Sequence, residues 1–136
     1  MKKKILLIIT ILLLSCACSS NYLKSLNLNS LKELVNNKKT FVLYLTDDKD
    51  GKVLKNNLGN ISKKNKIESF YINTSKLSDD DLNSLKEIFK FDETNIIIFV
   101  KDGKEDTVLS RISDVYIEEK ELEQELITQG YIQKEN

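Results

Sequence analysis

Histidine, proline and tryptophan are absent from the 136 residues, and the only two cysteines, Cys16 and Cys18, stand among the first eighteen. The body of the chain therefore lacks the side chains most used for acid-base work, for thiol chemistry and for holding transition metals. Ser15, Ser19 and Ser20 have no histidine to activate them as nucleophiles, and no local signature supports a lysine base in its place. A basic stripe is also missing. Setting aside Lys2, Lys3 and Lys4, the 21 basic residues fall to 18 against 21 acidic ones, a net of −3. That balance excludes a nucleic-acid partner, which needs clustered cations to replace phosphate counterions.

What is present describes a globular protein: 40% apolar and 31% charged residues, over a length suited to one domain. Lys2 to Lys4 form a positive segment, Ile5 to Leu14 an apolar run broken only by Thr10, and small residues follow. A membrane-spanning helix needs about 20 apolar residues, so this run is too short and has the layout of a secretory signal peptide over 1–15. Leu13-Leu14-Ser15-Cys16 resembles the lipobox of bacterial lipoproteins, in which the thiol accepts a diacylglyceryl group. Cys16 is preferred over Cys18, which would place Ser15 where the motif wants a branched aliphatic residue. Two acyl chains make a stable anchor to the bilayer, whereas one binds only marginally. Residues 16–29 then read as the lipidated end and a polar tether.

The folded body is expected over 30–133, with a short tail at 134–136. Ser30 and Glu33 form a capping box, opening a helix from about Leu31 to Asn37. Phe41 to Leu45 has the composition of a strand, Thr46 to Gly51 that of a loop, and Lys52 to Lys63 that of a helix. Ile67 to Ile72 predicts a strand, and Ser78 caps a helix whose first turn holds Asp79, Asp80 and Asp81. Asn95 to Val100 reads as a strand buried on both faces, Asp102-Gly103 as a hairpin turn returning through Thr107 to Ile112, and Glu118 to Gln129 as a helix stopped by Gly130. The order is α-β-α-β-α-β-β-α, an α/β fold with a parallel pair and a terminal antiparallel hairpin.

The segments Phe41 to Leu45, Lys66 to Thr74 and Phe99 to Lys104 resemble the thioredoxin-like proteins of Gram-positive bacteria, and the bacteriocin-transport accessory type in particular. That resemblance implies a thioredoxin-like fold, a central mixed sheet flanked by helices, here without its first strand. In that family a Cys-x-x-Cys pair opens the helix after the first of these strands, and a cis proline precedes the strand leading to the hairpin. This chain has Asp50-Gly51-Lys52-Val53 at the first place and Thr94-Asn95 at the second. The thiols are missing, and the peptide before Asn95 is expected to be trans, since a non-proline cis bond costs about 2.5 to 4 kcal/mol.

The expectation is a lipid-anchored binding module without thiol redox activity or cofactor, on the outer face of the cytoplasmic membrane. An accessory subunit to a thiol oxidoreductase or bacteriocin export system, and an immunity or stress lipoprotein, are the alternatives. Open sheets bind ligands beyond the carboxyl ends of their parallel strands, so Asp47, Asp48, Asp50, Lys52, Thr94 and Asn95 form the candidate partner surface. Free backbone amides at the helix start, with the Asn95 N–H where proline has none, suit an extended peptide. Thr46, Asp48, Asp50 and Gly51 match part of a calcium-loop spacing, but the twelfth position is Asn57 instead of glutamate, and a solvated acidic loop is the expectation. The glutamates at 118, 119, 121, 123 and 125 read as the wet face of the last helix, with acidic docking as the other possibility.

Overall fold

The computed structural model describes residues 22–47 and 49–133. The expected signal peptide over 1–15, acylated Cys16, neighbouring Cys18, Asp48 and the tail at 134–136 lie outside the described residues. In chain order the elements are β1 (Leu23–Ser25), α1 (Leu28–Asn36), β2 (Phe41–Thr46), α2 (Lys52–Asn65) and β3 (Ser69–Asn73). A 3-10 turn over Thr74–Lys76 follows, then α3 (Asp79–Ile88), β4 (Ile96–Lys101), β5 (Lys104–Glu105) and α4 (Glu119–Thr128). The strands form one mixed sheet in the order β1-β3-β2-β4-β5. β1, β3 and β2 run parallel, β4 runs antiparallel to β2, and β5 antiparallel to β4. The fold is α/β, as the element order predicts.

Successive side chains of a strand point to opposite faces, and β2 and β4 use both faces fully. Val42 and Tyr44 of β2 and Ile97 and Phe99 of β4 point to one side, where Leu54, Leu58 and Ile61 of α2 and Leu122 and Leu126 of α4 cover them. Phe41, Leu43, Leu45, Ile96, Ile98 and Val100 point to the other, against Leu28 and Leu31 of α1 and Leu85 of α3. The continuous apolar run at 96–100 is thus a central strand between two helical layers. Among the described residues, no helix is long and apolar enough to cross a membrane.

The amino-terminal boundary differs from the sequence expectation. Part of the expected tether is folded: Leu23–Ser25 pairs in register with Ser69 to Tyr71, Leu23 is buried, and Leu26 N–H donates to Tyr71 O. A first strand is therefore present. It is three residues long with two exposed side chains, so it carries no period of its own, and the edge of β3 is what stabilises it. α1 correspondingly starts earlier, capped by Asn27, whose side chain accepts the Ser30 N–H at 2.8 Å. Ser30 sits inside the first turn, and the expected capping box does not mark the helix start.

The hairpin forms where Asp102 and Gly103 both take positive φ, 53° and 78°. That is the geometry of a tight two-residue connection. β5 is shorter than the expected return through Thr107 to Ile112. The Asp106 side chain accepts the Val108 N–H and starts a local turn, which competes with the ladder. The chain rejoins β4 only at Ile112, which exchanges backbone hydrogen bonds with Ile97. Arg111 holds the detour in place, forking onto Glu105 at 2.6 and 2.7 Å and donating to Lys90 O. Such two-pronged, charge-assisted bonds are the strong ones. α3 is capped by Ser78 as predicted, its side chain accepting the Asp81 N–H.

Candidate functional site

The carboxyl end of β2, the start of α2 and the residues before β4 meet at one end of the sheet, because β4 runs antiparallel to β2 and pairs Ile96 with Leu45. Tyr44 and Thr46 lie two apart on β2 and so share the face covered by α2. Both are buried, Tyr44 completely. Each carries a polar group into an apolar layer, where an unmade hydrogen bond is costly, and one residue answers both.

That residue is Asn95. It takes the left-handed conformation at φ 59°, which asparagine tolerates better than most residues. Its side chain is buried in the cluster, with the residue only 7% exposed. Nδ2 donates to Asp47 Oδ1 at 3.1 Å, which leaves Oδ1 of the amide to accept from Tyr44 Oη and Thr46 Oγ1 at 3.2 Å each. Tyr44 Oη also lies 3.1 Å from Gly51 O, the carbonyl that begins the hydrogen bonding of α2 by accepting from Lys55 N–H. Thr94 Oγ1 donates to the second Asp47 oxygen at 2.9 Å, and Thr74 Oγ1 donates to Thr46 O at 3.1 Å. Gly51 is buried against this cluster: any side chain there would overlap the Tyr44 hydroxyl and the Asn95 amide oxygen. Glycine is required at 51 by space, since its backbone (φ −90°, ψ 10°) is open to other residues.

Asp47 receives the Lys49 backbone N–H at 2.9 Å, and that bond is the main cause holding its carboxyl below the ordinary value. Partial burial opposes the shift, and the bonds from Thr94 and Asn95 add to it. The carboxylate is ionised at neutral pH and bonded on both oxygens, so it organises the loop. Of the residues singled out in the sequence, Asp47, Thr94 and Asn95 are brought into direct contact, while Asp50 and Lys52 lie exposed beside them at the start of α2. Asn95 departs from the expectation of a surface group, because its side chain is drawn inward by two buried hydroxyls. The described residues contain no cis peptide bond, so the link before Asn95 is trans, as expected.

Tyr44 and Thr46 were outside the expected site, and Gly51, within the expected loop, had no packing role assigned to it. The signal for the first two was available: a tyrosine and a threonine spaced by two at the end of an otherwise apolar strand must find partners if that strand is central. Two apolar side chains also stand exposed, one on α2 and one on the turn before α4. Val53, in the first turn of α2, is 46% exposed, and Tyr116 is 76% exposed. Asn57 Nδ2 donates to Ile117 O at 2.9 Å, tying the turn that carries Tyr116 to α2 one helical turn beyond Val53. A scan against protein-family models finds no match to this chain, and a search of the curated proteins finds none either.

Proposed function

We propose that this chain is a lipid-anchored protein of thioredoxin-like fold that binds another protein on the outer face of the cytoplasmic membrane, without thiol redox chemistry of its own. The start of α2 carries the reading. Where the resembled family holds its two thiols, this chain has Asp50-Gly51-Lys52-Val53, and no cysteine follows Cys18 in the sequence. The space beneath that turn is filled by the Tyr44, Thr46 and Asn95 cluster, with Gly51 packed on it. Strand order β1-β3-β2-β4-β5, with α1 and α3 on one face and α2 and α4 on the other, is compatible with the thioredoxin-like arrangement.

The binding face of this reading is the rim around the cluster: exposed Asp50 and Lys52 for charge, Val53 and Tyr116 for apolar contact. Protein interfaces favour aromatic anchors at their centres and place charged side chains at the solvated rim. Anchoring rests on the Lys2 to Cys16 segment alone. Cells fed a labelled fatty acid should label the chain, and Cys16→Ser should abolish the label; labelling lost on Cys18→Ser instead would move the acylated residue.

Crosslinking of the full chain in intact cells tests the surface. The pair Asp50→Lys with Tyr116→Ser, both exposed positions, should lose the crosslinked partner that the parent captures. Glu121→Lys with Glu125→Lys on α4 should retain it. Loss only in the α4 variant would overturn the rim as the binding face, and capture of a thiol oxidoreductase or an exporter component would change the reading to an accessory subunit.

A further inference from the structure

Three helices finish at the end of the sheet where β2 and β3 begin and β4 ends. β1, β3 and β2 are parallel, so α1 and α2, which connect them, must run back to where the strands start. α4 lies beside α2 in the same direction: Asn57 Nδ2 donates to Ile117 O, Asn60 Nδ2 to Glu119 Oε2 and Lys64 Nζ to Glu123 Oε1. It stops at Gly130, φ 82°, whose N–H returns to Ile127 O while the Tyr131 N–H returns to Leu126 O, the paired bonds of a Schellman end. Each helix is partially negative at its carboxyl end and positive at its amino end, so aligned helices gather cations at one end of the molecule and anions at the other.

The charges of the chain follow that division. Lys38 and Lys39 come after α1, Lys63 is in the last turn of α2 and Lys66 is its cap. Lys101 and Lys104 flank the hairpin turn, which is joined to the same end by Gly103 N–H donating to Lys39 O and Asp102 N–H to Thr40 Oγ1. No helix end accounts for this last pair. All six lysines are exposed. Among the described residues, the ion pairs Lys64–Glu123 and Arg111–Glu105 involve none of them. The acidic groups beside them are Asp102, Glu68 and Asp106, the last two sharing with Lys66 and Lys101 a cavity of about 380 Å³ beneath the end of α4. Six cations against three anions leave this end positive. At the other end Asp47, Asp50, the three aspartates opening α3 and the glutamates opening α4 outnumber Lys49, Lys52, Lys76 and Lys120. The net charge of the whole chain conceals this segregation.

The chain also enters the fold at the positive end. Tyr22, just before β1, is 36% exposed and lines a hollow with Lys24, Lys66 and Glu68. It comes six residues after Cys16, a reach of at most about 22 Å. The rim around Gly51 lies a full length of β2 away, about 20 Å for six residues. Turning the rim to the bilayer would consume the whole tether, whereas the lysine-rich end is already beside it.

We propose that this end docks on anionic phospholipid headgroups, with Lys38, Lys39, Lys63, Lys66, Lys101 and Lys104 meeting the phosphates and Tyr22 at the interface, so that the rim points away from the membrane. The inference rests on the anchoring at Cys16 proposed above. Acyl chains fix one point of the molecule, and a basic patch adds attraction to an anionic surface within a Debye length, which sets the orientation. Lysine is suited to this, since its ammonium is a compact charge on a flexible stem and asks for no fixed geometry from the phosphate.

Fluorescence quenching from the headgroup level tests the proposal. The acylated chain carrying Cys18→Ser is reconstituted in phosphatidylcholine vesicles with or without phosphatidylglycerol, a nitroxide being attached to a fraction of the headgroups. One fluorophore is placed at Asn36→Cys, beside the lysines, or at Asp80→Cys, at the opposite end; both positions are exposed. With phosphatidylglycerol present, quenching at 36 should exceed quenching at 80, and the ratio should fall at least about threefold when that lipid is omitted or when Lys38, Lys39 and Lys101 are all changed to Glu. Equal quenching at the two positions, or a ratio unchanged by both manipulations, would overturn the proposal. Binding of soluble polyphosphate with equal quenching on the vesicles would assign the lysines to a soluble polyanion instead. Flotation with the vesicles in high salt reads the anchor separately, because acyl chains hold whatever the charge. A chain left behind would overturn the anchor and this inference with it, whereas one that floats with an unchanged ratio would overturn the lysine-rich face alone.

Discussion

The two ends of the sheet hold comparable polar side chains in opposite states. At the carboxyl end of β2, the Tyr44 hydroxyl, the Thr46 hydroxyl and both ends of the Asn95 amide are bonded within the fold, and Asp47 closes the cluster toward solvent. At the other end, the Tyr131 hydroxyl and the Gln129 carbonyl are buried without partners among the described residues. A closed network of this kind rigidifies its surroundings and leaves little for a ligand to bond. An open one costs the free protein and rewards whatever completes it. The same residue type, tyrosine, is thus paired and stabilising at one end and buried without a partner at the other.

The largest expected effect comes from breaking the closed end at its hub. Asn95→Leu removes the bonds to Tyr44, Thr46 and Asp47, while Tyr44 keeps Gly51 O and Asp47 keeps the Lys49 and Thr94 donors; at about 0.5–1.5 kcal/mol for each bond lost, the midpoint of urea unfolding should fall by the equivalent of roughly 2–4 kcal/mol. A loss under about 0.5 kcal/mol, the scatter of ordinary surface substitutions, would show that the cluster is not holding this end together.

The comparison is sharpest when one chemical change is made at both ends. Tyr44→Phe removes a bonded hydroxyl and Tyr131→Phe an unbonded one. The first should cost about 1 kcal/mol, the net worth of an intramolecular hydrogen bond, whereas the second should leave stability unchanged or slightly raised. Equal losses at the two positions, read by thermal melting under identical conditions, would erase the distinction between the ends.

The smallest effect is pH-dependent. Asp47 has a folded value below its unfolded one. Its contribution is therefore fully present above the unfolded value of ~3.9 and is lost as pH falls through the lower folded value. Because the group is partly solvated, the contribution should stay under about 1 kcal/mol. Asp47→Asn should flatten the decline in stability on acidification below that range; an unchanged acid limb would place the titrating group elsewhere.

Much of this architecture was legible in the sequence. The run at 96–100, the Asp102-Gly103 turn, the Ser78 cap and the Gly130 stop each act through residues adjacent in the chain, so composition and spacing suffice to locate them. β1 was not legible, because Leu23 to Ser25 becomes a strand only through its register with Ser69 to Tyr71 at the edge of β3, far along the chain. The detour after β5 was missed for a related reason: Arg111 stabilises it by reaching Lys90 O and Glu105, a contact that no local pattern announces.

The candidate surface divides the same way. Position along the strands was enough to group Asp47, Thr94 and Asn95, since the ends of paired strands must meet, and the missing thiols at Asp50-Gly51-Lys52-Val53 are a plain fact of the sequence. Which way each side chain turns was decided by the tertiary structure. Asn95 faces inward because Tyr44 and Thr46, far from it in sequence, present buried hydroxyls that need an acceptor, and Gly51 is held to glycine by the atoms that fill its space. The unpartnered atoms of Gln129 and Tyr131 belong wholly to that second level. A helix stop can be read from a glycine, but whether the chain beyond it finds a partner or an empty cavity depends on what the ends of β2, β3 and β4 place opposite, and only the assembled fold determines that.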